Sequence, residues 1–398
     1  MMGPMEGVRV VELGLWIAGP SCGGVLADWG ADVIKIEPLA GDPFRGLAWL
    51  YPGSVNPPFE LDNRGKRSVA IDITTTEGRA LIDDLLSEAD VFLTNYRSAG
   101  LERAGLDHAS LTAAYPRLVY AHVSGYGLDG DERDRAAYDV GAFYSRGGIG
   151  AALTPPGSDL PYPRGGMGDH MTGLAAAGGV AAALYSRELT GEGQVVSTSL
   201  LRNGAYMHGW DHNVTARLDI DTEPVTRSGP PNPLINGYRC GDDKWVWLLG
   251  MEADRHWPQV VRALDRATWE HDERFATIEA RRDNSHELVA AMDEVLATRS
   301  REEWAMIFDT HDVWWARVQT TLDMRHDPQA RAAGCFVPAP LPDGEVVDMV
   351  ASPVDFSSTN WVVRDPVPEL GQHTEIVLME LGKGWDEIEQ LKQAGAIP

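Results

Sequence analysis

The segment Val8–Glu37, VRVVELGLWIAGPSCGGVLADWGADVIKIE, decides the fold. It opens with a valine-rich run, Val8–Leu13, that predicts a buried strand. Small residues follow, and Pro20 and Ser21 mark the start of a helix. A second strand is predicted over Ala31–Glu37. A strand, a helix and a strand in about 30 residues make a βαβ unit, which implies a parallel sheet.

The same alternation continues along the first half of the chain. Three more strands are predicted, over 67–73, 90–94 and 118–124. A helix is predicted between the first two of them, over 76–89. The sequence therefore predicts an α/β fold whose large domain contains a doubly wound, Rossmann-like sheet. Such sheets bind ligands beyond the carboxyl ends of their strands. The loops in which a site is expected are 15–20, 95–97 and 124–128.

The second half of the chain changes character twice. Glycine and alanine crowd Gly165–Tyr185, which ends in a helix, and a strand follows at Gln194–Ser199. The Pro/Gly-rich segment Thr226–Gly237 is the best domain boundary. We therefore expect a large domain over 1–225, a smaller, tryptophan-rich α+β domain over 226–333, and a last segment over 334–398 with strands, turns and a helix at 375–381. Each tryptophan of the smaller domain is either a core anchor or a wall of an acyl pocket.

Composition limits the classes of function. The 398 residues carry a net charge of −25, which disfavours nucleic-acid and membrane partners. The start of the chain does not read as a signal peptide. Three scattered cysteines fit a reducing compartment, so a cytoplasmic location is expected. His208 and His212 stand four residues apart but lack a metal-binding motif, and no metal site is predicted.

One carboxylate stands out in the run Arg164–Gly173, RGGMGDHMTG. Glycines surround Asp169 just ahead of the small-residue helix. Glycine allows a ligand to approach the backbone closely, and helix N-terminal N–H groups stabilise anions. Asp169 is thus either a nucleophile that forms covalent acyl intermediates or a helix cap on a glycine-rich turn.

Several blocks resemble those of the family III CoA-transferases, the CaiB/BaiF group that contains formyl-CoA transferase, carnitine CoA-transferase and α-methylacyl-CoA racemase. The blocks occur in the family's order and are AGP at 18–20, GADVIKIE at 30–37, NRGKRS at 63–68, DVFLTNYR at 90–97, SGYG at 124–127, YD at 138–139, GD at 168–169 and GQHTE at 371–375. The likeness spans essentially the whole chain.

The resemblance implies a catalytic role for Asp169, which would attack an acyl-CoA thioester. The CoA contacts would then fall on Trp16, Ile17, Ala18, Asn95, Tyr96 and Arg103, with Tyr138 near the thioester. Arg97 and Arg103 suit anionic phosphates, whereas Lys66 and Arg67 either assist or face solvent. CoA would be a substrate, exchanged between an acyl-CoA and a carboxylic acid, and no permanently bound cofactor is expected. The family fold also implies an interlinked homodimer in which the last segment returns to the large domain.

Two other functions stay open. An acyl-CoA racemase or isomerase of the same superfamily uses a histidine where this chain has Tyr138, and tyrosine is a poor base. A CoA-binding protein without turnover would not need the Gly168-Asp169 pair. His170 is interpreted as a structural neighbour of the site and His122 as a buried, satisfied histidine. Ile17 and Pro38 depart from the formyl-CoA enzyme, and its glycine-rich flap is missing at 248–252, so formyl-CoA and oxalate are disfavoured as substrates.

Overall fold

The computed structural model describes residues 3–359, 361 and 363–398. They form two compact units. The first contains the residues up to Gly150, then Tyr162–Ile220 and the residues from Ala332 onward, and the second contains Ala151–Pro161 and Asp221–Arg331. The sequence did not predict that 151–161 belongs to the second unit, because this proline- and glycine-bearing stretch has no periodic pattern.

A six-stranded sheet runs through the first unit. Its strands are β1 (Arg9–Leu13), β2 (Asp32–Glu37), β3 (Arg67–Ala70), β4 (Val91–Thr94), β5 (Val119–Ser124) and β6 (Val195–Ser199). The spatial order is β3-β2-β1-β4-β5-β6, and every neighbouring pair is parallel. The predicted doubly wound α/β fold is therefore confirmed.

The remaining strands are antiparallel. In the second unit β7 (Gly237–Arg239), β8 (Trp245–Leu248) and β9 (Trp315–Val318) form a three-stranded sheet. In the last segment of the chain β10 (Phe336–Pro340) pairs with β11 (Val346–Val350). This hairpin matches the strands and turns that the sequence predicts after residue 334.

The helices cover much of the rest of the described chain. They are α1 (Ala18–Asp28), α2 (Pro57–Asn63), α3 (Thr76–Ser87), α4 (Ser98–Ala104), α5 (His108–Ala114), α6 (Ile149–Ala152), α7 (Met167–Thr190), α8 (Leu200–Met207), α9 (Gly209–Leu218), α10 (Ala253–Ala263), α11 (Ile278–Asp283), α12 (Ser285–Leu296), α13 (Arg301–Thr310), α14 (Thr321–His326), α15 (Pro328–Ala332), α16 (Thr374–Glu380) and α17 (Trp385–Gln393). A π-helix occupies Val140–Ser145, and 3₁₀ turns occupy Pro43–Leu50, Pro52–Ser54 and Ala267–His271. No helix in the described part of the chain has both the length and the apolar character needed to cross a membrane.

Two of the predicted boundaries that differ from the structure have a visible physical cause. Helix α1 begins at Ala18, before Pro20, because the first turn of a helix needs no intrahelical N–H donors and therefore tolerates proline. Strand β3 ends at Ala70, three residues before the predicted end at Ile73. Beyond β3, the Asp72 N–H bonds to the Ala396 carbonyl instead of continuing the ladder.

Small residues bring α1 and α7 close together on one face of the sheet. A Cβ atom built on Gly173 of α7 would stand 2.0 Å from the Ser21 Oγ atom of α1. The predicted close packing of the glycine- and alanine-rich helix is thus confirmed. On the opposite face, Val377, Leu378 and Ile388 of the last two helices join the core of the first unit.

The second unit has its own core. Trp257 and Trp304 are fully buried there, and the Trp304 indole N–H donates to the Leu296 carbonyl at 2.8 Å. Both residues are therefore core anchors. Trp247 and Trp314 keep large exposed surfaces and are not core anchors, and a role for them as walls of an acyl pocket stays a prediction.

Candidate active site

The strand order reverses between β1 and β4, and the loops after these two strands are joined by one side chain. The Asn95 Oδ1 atom accepts from the Leu15 N–H at 2.9 Å, while its Nδ2 atom donates to the Leu15 carbonyl at 2.7 Å. A gap between loops at such a reversal is the usual ligand site of a doubly wound sheet. The topology alone thus directs attention to this edge.

Trp16 occupies a strained position in the first of these loops. Its φ of +64° lies in the left-handed region, which a large side chain seldom adopts. The backbone N–H of Trp16 donates to Asp42 Oδ1 at 3.1 Å, and Lys35 Nζ binds Asp42 Oδ2 at 3.0 Å. The indole ring meets the Tyr138 ring edge to face, with centroids 5.5 Å apart. The buried ion pair of Lys35 and Asp42 therefore fixes the backbone of Trp16, and with it the contact between the Trp16 and Tyr138 rings.

The start of α7 is fixed by two glycines. Gly166 precedes the helix with a φ of +83°. A Cβ on Gly168 would stand 2.6 Å from Phe143 Cγ, so the helix start lies directly against the π-helix. The Asp139 carboxylate accepts from the Gly168 N–H at 3.3 Å. These contacts hold Asp169, in the first turn of α7, at a defined place.

The Asp169 carboxylate accepts no hydrogen bond from any residue that the structure describes. Burial raises the pKa of Asp169 to about 7, and the charges of Asp139 and Asp62 act in the same direction. His170 opposes them by favouring the anion. At neutral pH a large share of the protein therefore carries Asp169 as an unpartnered carboxylate.

A cavity of about 850 Å³ opens in front of this carboxylate. All of its lining residues belong to the first unit. They include Asp169 and the eight residues expected to contact CoA, namely Trp16, Ile17, Ala18, Asn95, Tyr96, Arg97, Arg103 and Tyr138. The structure thus brings the nine together, while their individual roles stay predictions.

Arginines differ sharply in how they border the cavity. Arg97 and Arg103 are exposed and have neither a hydrogen bond nor an ion pair from their side chains among the described residues. Arg133 pairs with Glu102 at 3.0 Å and with Asp134, and Arg135 pairs with Glu132. Two free guanidinium groups are thus available for an anionic ligand.

A sequence profile of CoA-transferase family III matches residues 5–374 of this chain. The chain belongs to CoA-transferase family III. It is therefore an enzyme, a CoA-transferase, and acyl-CoA and carboxylate substrates fit its family.

Individual relatives agree with this assignment. The CoA-transferase is 32% identical over 397 residues to the (R)-2-hydroxy-4-methylpentanoate CoA-transferase of Clostridioides difficile, with 99% of each chain covered. It is 34% identical over 394 residues to the cinnamoyl-CoA:phenyllactate CoA-transferase of Clostridium sporogenes, with 98% and 96% covered. A CaiB/BaiF family protein from Brucella suis has a similar structure, with a TM-score of 0.85, 29% identity, and 96% and 100% of the chains covered.

Lys66 neither faces solvent in the CoA-transferase nor lines the cavity. Its ammonium is fully buried and binds Glu12 Oε2 and the Pro20 carbonyl, each at 2.8 Å. The expectation that Lys66 faces solvent was wrong, because the side chain forms a buried ion pair with Glu12. Arg67 is partly exposed and pairs with Asp32 and Glu380, which also places it in a structural role.

The histidines of the CoA-transferase have distinct surroundings. His122 is buried, and its Nε2 atom lies 2.8 Å from the Tyr96 carbonyl, in agreement with its interpretation as a satisfied histidine. His208 pairs with Asp211, and His212 Nε2 lies 3.0 Å from the Gly147 carbonyl. His170 Nε2 lies 3.0 Å from Asp62 Oδ1, a contact that sequence reasoning missed.

The sequence of the CoA-transferase offers little to predict that Asp62 lies near the site. It directly precedes the NRGKRS block, but 108 residues separate it from His170. The side chain is buried, with 2% exposed, a rare position for an aspartate. Only the tertiary structure reveals that it faces the neighbourhood of Asp169.

Proposed function

We propose that this enzyme moves CoA from an acyl-CoA donor to a carboxylic acid through covalent intermediates on Asp169. The observation that carries the proposal is the unpartnered Asp169 carboxylate, which lines the cavity with a pKa raised to about 7. The carboxylate oxygens of a helix-capping residue would accept hydrogen bonds from helix N–H groups. A half-buried carboxylate without such bonds is instead suited to attack an electrophile.

The chemistry divides into four balanced steps. A carboxylate oxygen of Asp169 attacks the donor thioester, and the C–S bond breaks to give a mixed anhydride and CoA thiolate. The thiolate attacks the Asp169 carbonyl carbon, the donor acid leaves, and an aspartyl-CoA thioester forms. The acceptor carboxylate attacks this thioester and releases the thiolate again. The thiolate then attacks the acceptor carbonyl, which yields the new acyl-CoA and restores Asp169.

The walls of the cavity would hold CoA in this scheme. We propose that Arg97 and Arg103 bind its phosphates, because they are the unpaired cations at the cavity among the described residues. Trp16, Ile17, Ala18, Asn95 and Tyr96 would contact the rest of CoA, and Tyr138 would lie beside the thioester. Exclusion of water matters because water would hydrolyse both the anhydride and the aspartyl thioester.

For the acyl group we propose an apolar substituent. Trp16, Phe44, Leu47, Tyr138 and Val140 line the cavity, and apolar walls favour an apolar guest. The two relatives described above are named for 2-hydroxy-4-methylpentanoate, cinnamoyl-CoA and phenyllactate, which supports the same class. Once the free arginines bind phosphates, the described lining offers no further unpaired cation for a second carboxylate.

We also propose a cytoplasmic homodimer. The three cysteines form no disulfide, which suits a reducing compartment. Tyr185, Leu189, Tyr206 and Trp210 are each at least 69% exposed on α7, α8 and α9, and such large apolar side chains favour cover by another chain. Light scattering after size-exclusion chromatography tests the dimer, and Trp210→Glu is expected to weaken it. A monomeric wild type would overturn this part of the proposal.

The decisive experiment is a mass spectrum of the intact enzyme. Enzyme is mixed with cinnamoyl-CoA, 2-hydroxy-4-methylpentanoyl-CoA or succinyl-CoA, and the intermediate is trapped with hydroxylamine or borohydride. We expect an adduct whose peptide maps to Asp169, strongest with the first two donors. Asp169→Ala should abolish it, while the exposed Asp159→Ala serves as a matched control that retains it.

Two outcomes would contradict the proposal. An adduct on another residue, or one that survives Asp169→Ala, would remove Asp169 from the chemistry. No adduct together with deuterium exchange at the α-carbon of the acyl group would instead indicate a racemase. A preference for succinyl-CoA would leave the transfer intact and overturn only the proposed apolar acyl group.

A further inference from the structure

Asp62 and His170 form a pair beside Asp169. The two atoms in contact, His170 Nε2 and Asp62 Oδ1, are 3.0 Å apart. The Asp62 side chain is 2% exposed, whereas 42% of the His170 side chain is exposed. The second oxygen of Asp62, Oδ2, is buried without a hydrogen-bond partner among the described residues. A buried carboxylate with one bare oxygen is costly unless a positive charge faces it.

The histidine ring also touches the cavity wall. A Cβ atom built on Gly166 would stand 3.3 Å from His170 Cε1 and 3.5 Å from His170 Nδ1. Gly166 itself lines the cavity, and its φ of +83° favours glycine. The ring is thus held between the buried Asp62 and the backbone that leads into Asp169.

Charges converge on Asp169 from three directions. Asp139 approaches from the segment before the π-helix, Asp62 from α2, and His170 from the same helix as Asp169. Burial raises the pKa of Asp62, the hydrogen bond and charge of His170 and the charge of Lys66 favour its anion, and the charge of Glu12 disfavours it. His170 is the one group in this set whose charge favours the Asp169 anion.

We propose that Asp62 holds His170 as an imidazolium, and that this fixed positive charge keeps the Asp169 nucleophile ionised next to Asp139 and Asp62. His170 is in this sense a positioning residue, which acts through Asp169 and not on the substrate. The inference rests on the proposed function, since it concerns the reactive form of Asp169. The hydrogen bond and charge of Asp62, with the charges of Asp169 and Asp139, outweigh burial and raise the pKa of His170.

The physical argument is a balance of charges. Desolvation and two nearby carboxylates disfavour the Asp169 anion, so fewer molecules would be reactive at neutral pH. An imidazolium close by restores part of that population. A neutral residue of similar shape in place of His170 would shift the ionisation of Asp169 to higher pH and leave the fully ionised enzyme active.

The test is the pH dependence of the first chemical step. Adduct formation on Asp169 is measured in single turnovers with cinnamoyl-CoA, or with another donor of the panel if it labels Asp169 more strongly. For His170→Gln, which can still bond Asp62, we expect the acid limb to move up by about one pH unit. At pH 6 the rate would fall about tenfold relative to wild type, while the rate above pH 8.5 stays within about twofold.

His170→Arg restores a fixed positive charge and is expected to return the midpoint toward the wild-type value. His326→Gln, an exposed histidine of α14, is the matched control and should leave the profile unchanged. Asp62→Asn provides a second measurement, because His170→Gln should move the midpoint much less in that background. Thermal melts of each variant show whether it is folded.

An unchanged midpoint in folded His170→Gln would overturn the inference, as would a uniform loss of rate at every pH. Both results are separate from a failure of the proposed function. If Asp169→Ala keeps the adduct, the nucleophile itself is wrong. If Asp169 carries the adduct but the midpoint of its pH dependence is the same in His170→Gln as in wild type, only the proposed role of the Asp62–His170 pair is wrong.

Discussion

The Asp139 carboxylate accepts a hydrogen bond from the backbone N–H of Gly168, the residue directly before Asp169, at 3.3 Å. Its other oxygen accepts from the Val140 N–H at 2.8 Å. The same side chain therefore ties the start of α7 to the π-helix and places a negative charge near Asp169. Because that charge disfavours a second anion, Asp139 contributes to the raised pKa of Asp169.

Replacing Asp139 by asparagine is expected to lower the pKa of Asp169, since one of its like charges disappears. The nucleophile would then stay ionised to lower pH, and the acid limb of the kcat/KM profile would move down by about half a pH unit to one unit. The profile should be measured from pH 5 to 9. A shift of the acid limb to higher pH would contradict this electrostatic role. A lower plateau of kcat/KM with an unchanged midpoint would mean that Asp139 only positions the start of α7.

Asp169→Asn is expected to stabilise the fold at high pH. Asp169 has a pKa of about 7 in the folded protein and 3.8 as its ordinary value, so the native state binds the proton more tightly. Wild-type stability therefore falls as the pH rises from about 4 to 7, whereas the asparagine variant lacks this loss. Urea unfolding should show a gain of about 1–3 kcal/mol at pH 8 and little gain at pH 4. An equal effect at both pH values would contradict the raised pKa.

Gly168→Ala is expected to damage the site by overpacking. The new methyl group would stand 2.6 Å from Phe143 Cγ, so the start of α7 must shift. We expect a loss of about 1–3 kcal/mol in the free energy of unfolding and a fall in kcat/KM of about 100-fold. Urea unfolding and steady-state kinetics measure the two effects.

The matched control for Gly168→Ala lies on the same helix. A Cβ on Gly178 would meet nothing within 4 Å, and the backbone there is helical. Gly178→Ala should therefore stabilise the protein by about 0.5–1 kcal/mol through helix propensity and leave kcat/KM unchanged. Similar losses in both variants would show that the contact with Phe143 is not the cause.

Lys66→Met is expected to destabilise the fold strongly. It leaves Glu12, which is fully buried, with one ion-pair partner fewer, and it removes the donor to the Pro20 carbonyl. Breaking a buried pair in this way costs about 3–5 kcal/mol. Arg67→Met, the neighbouring change at a partly exposed pair, should cost about 1 kcal/mol or less in the same urea unfolding assay. Equal costs would contradict the buried, structural role of Lys66.

Arg97→Gln and Arg103→Gln are each expected to weaken CoA binding about tenfold, the effect of losing one charge-assisted hydrogen bond. Calorimetric titration with CoA at low salt measures this. Pantetheine, which lacks the phosphates, should bind wild type and variants alike. Arg117→Gln removes an exposed arginine outside the cavity and is the control. If the variants bound pantetheine as much more weakly as they bind CoA, the arginines would not be contacting the phosphates.

Much of the fold was predictable because its signals are local. Runs of valine and isoleucine mark β1 and β2, and a helix that crosses over between two neighbouring strands of one sheet makes them parallel. The rule that ligands bind beyond strand ends then selects the loops at Trp16 and Asn95. Helix α17 was missed although Trp385, Ile388 and Leu391 recur every three residues, because its nine residues make too short a periodic pattern to stand out. The excursion of 151–161 into the second unit was missed because it depends on contacts distant along the chain.

The sequence by itself determined the strands of the parallel sheet and the loops that follow them, and it singled out Asp169 with the residues now found around one cavity. Only the tertiary structure decided which charged side chains pair with one another around that cavity. Lys66 meets Glu12 across 54 residues, and His170 meets Asp62 across 108. Charges act through space and gain strength when water is excluded, so their effect follows from folded distances and burial, which no stretch of residues encodes locally.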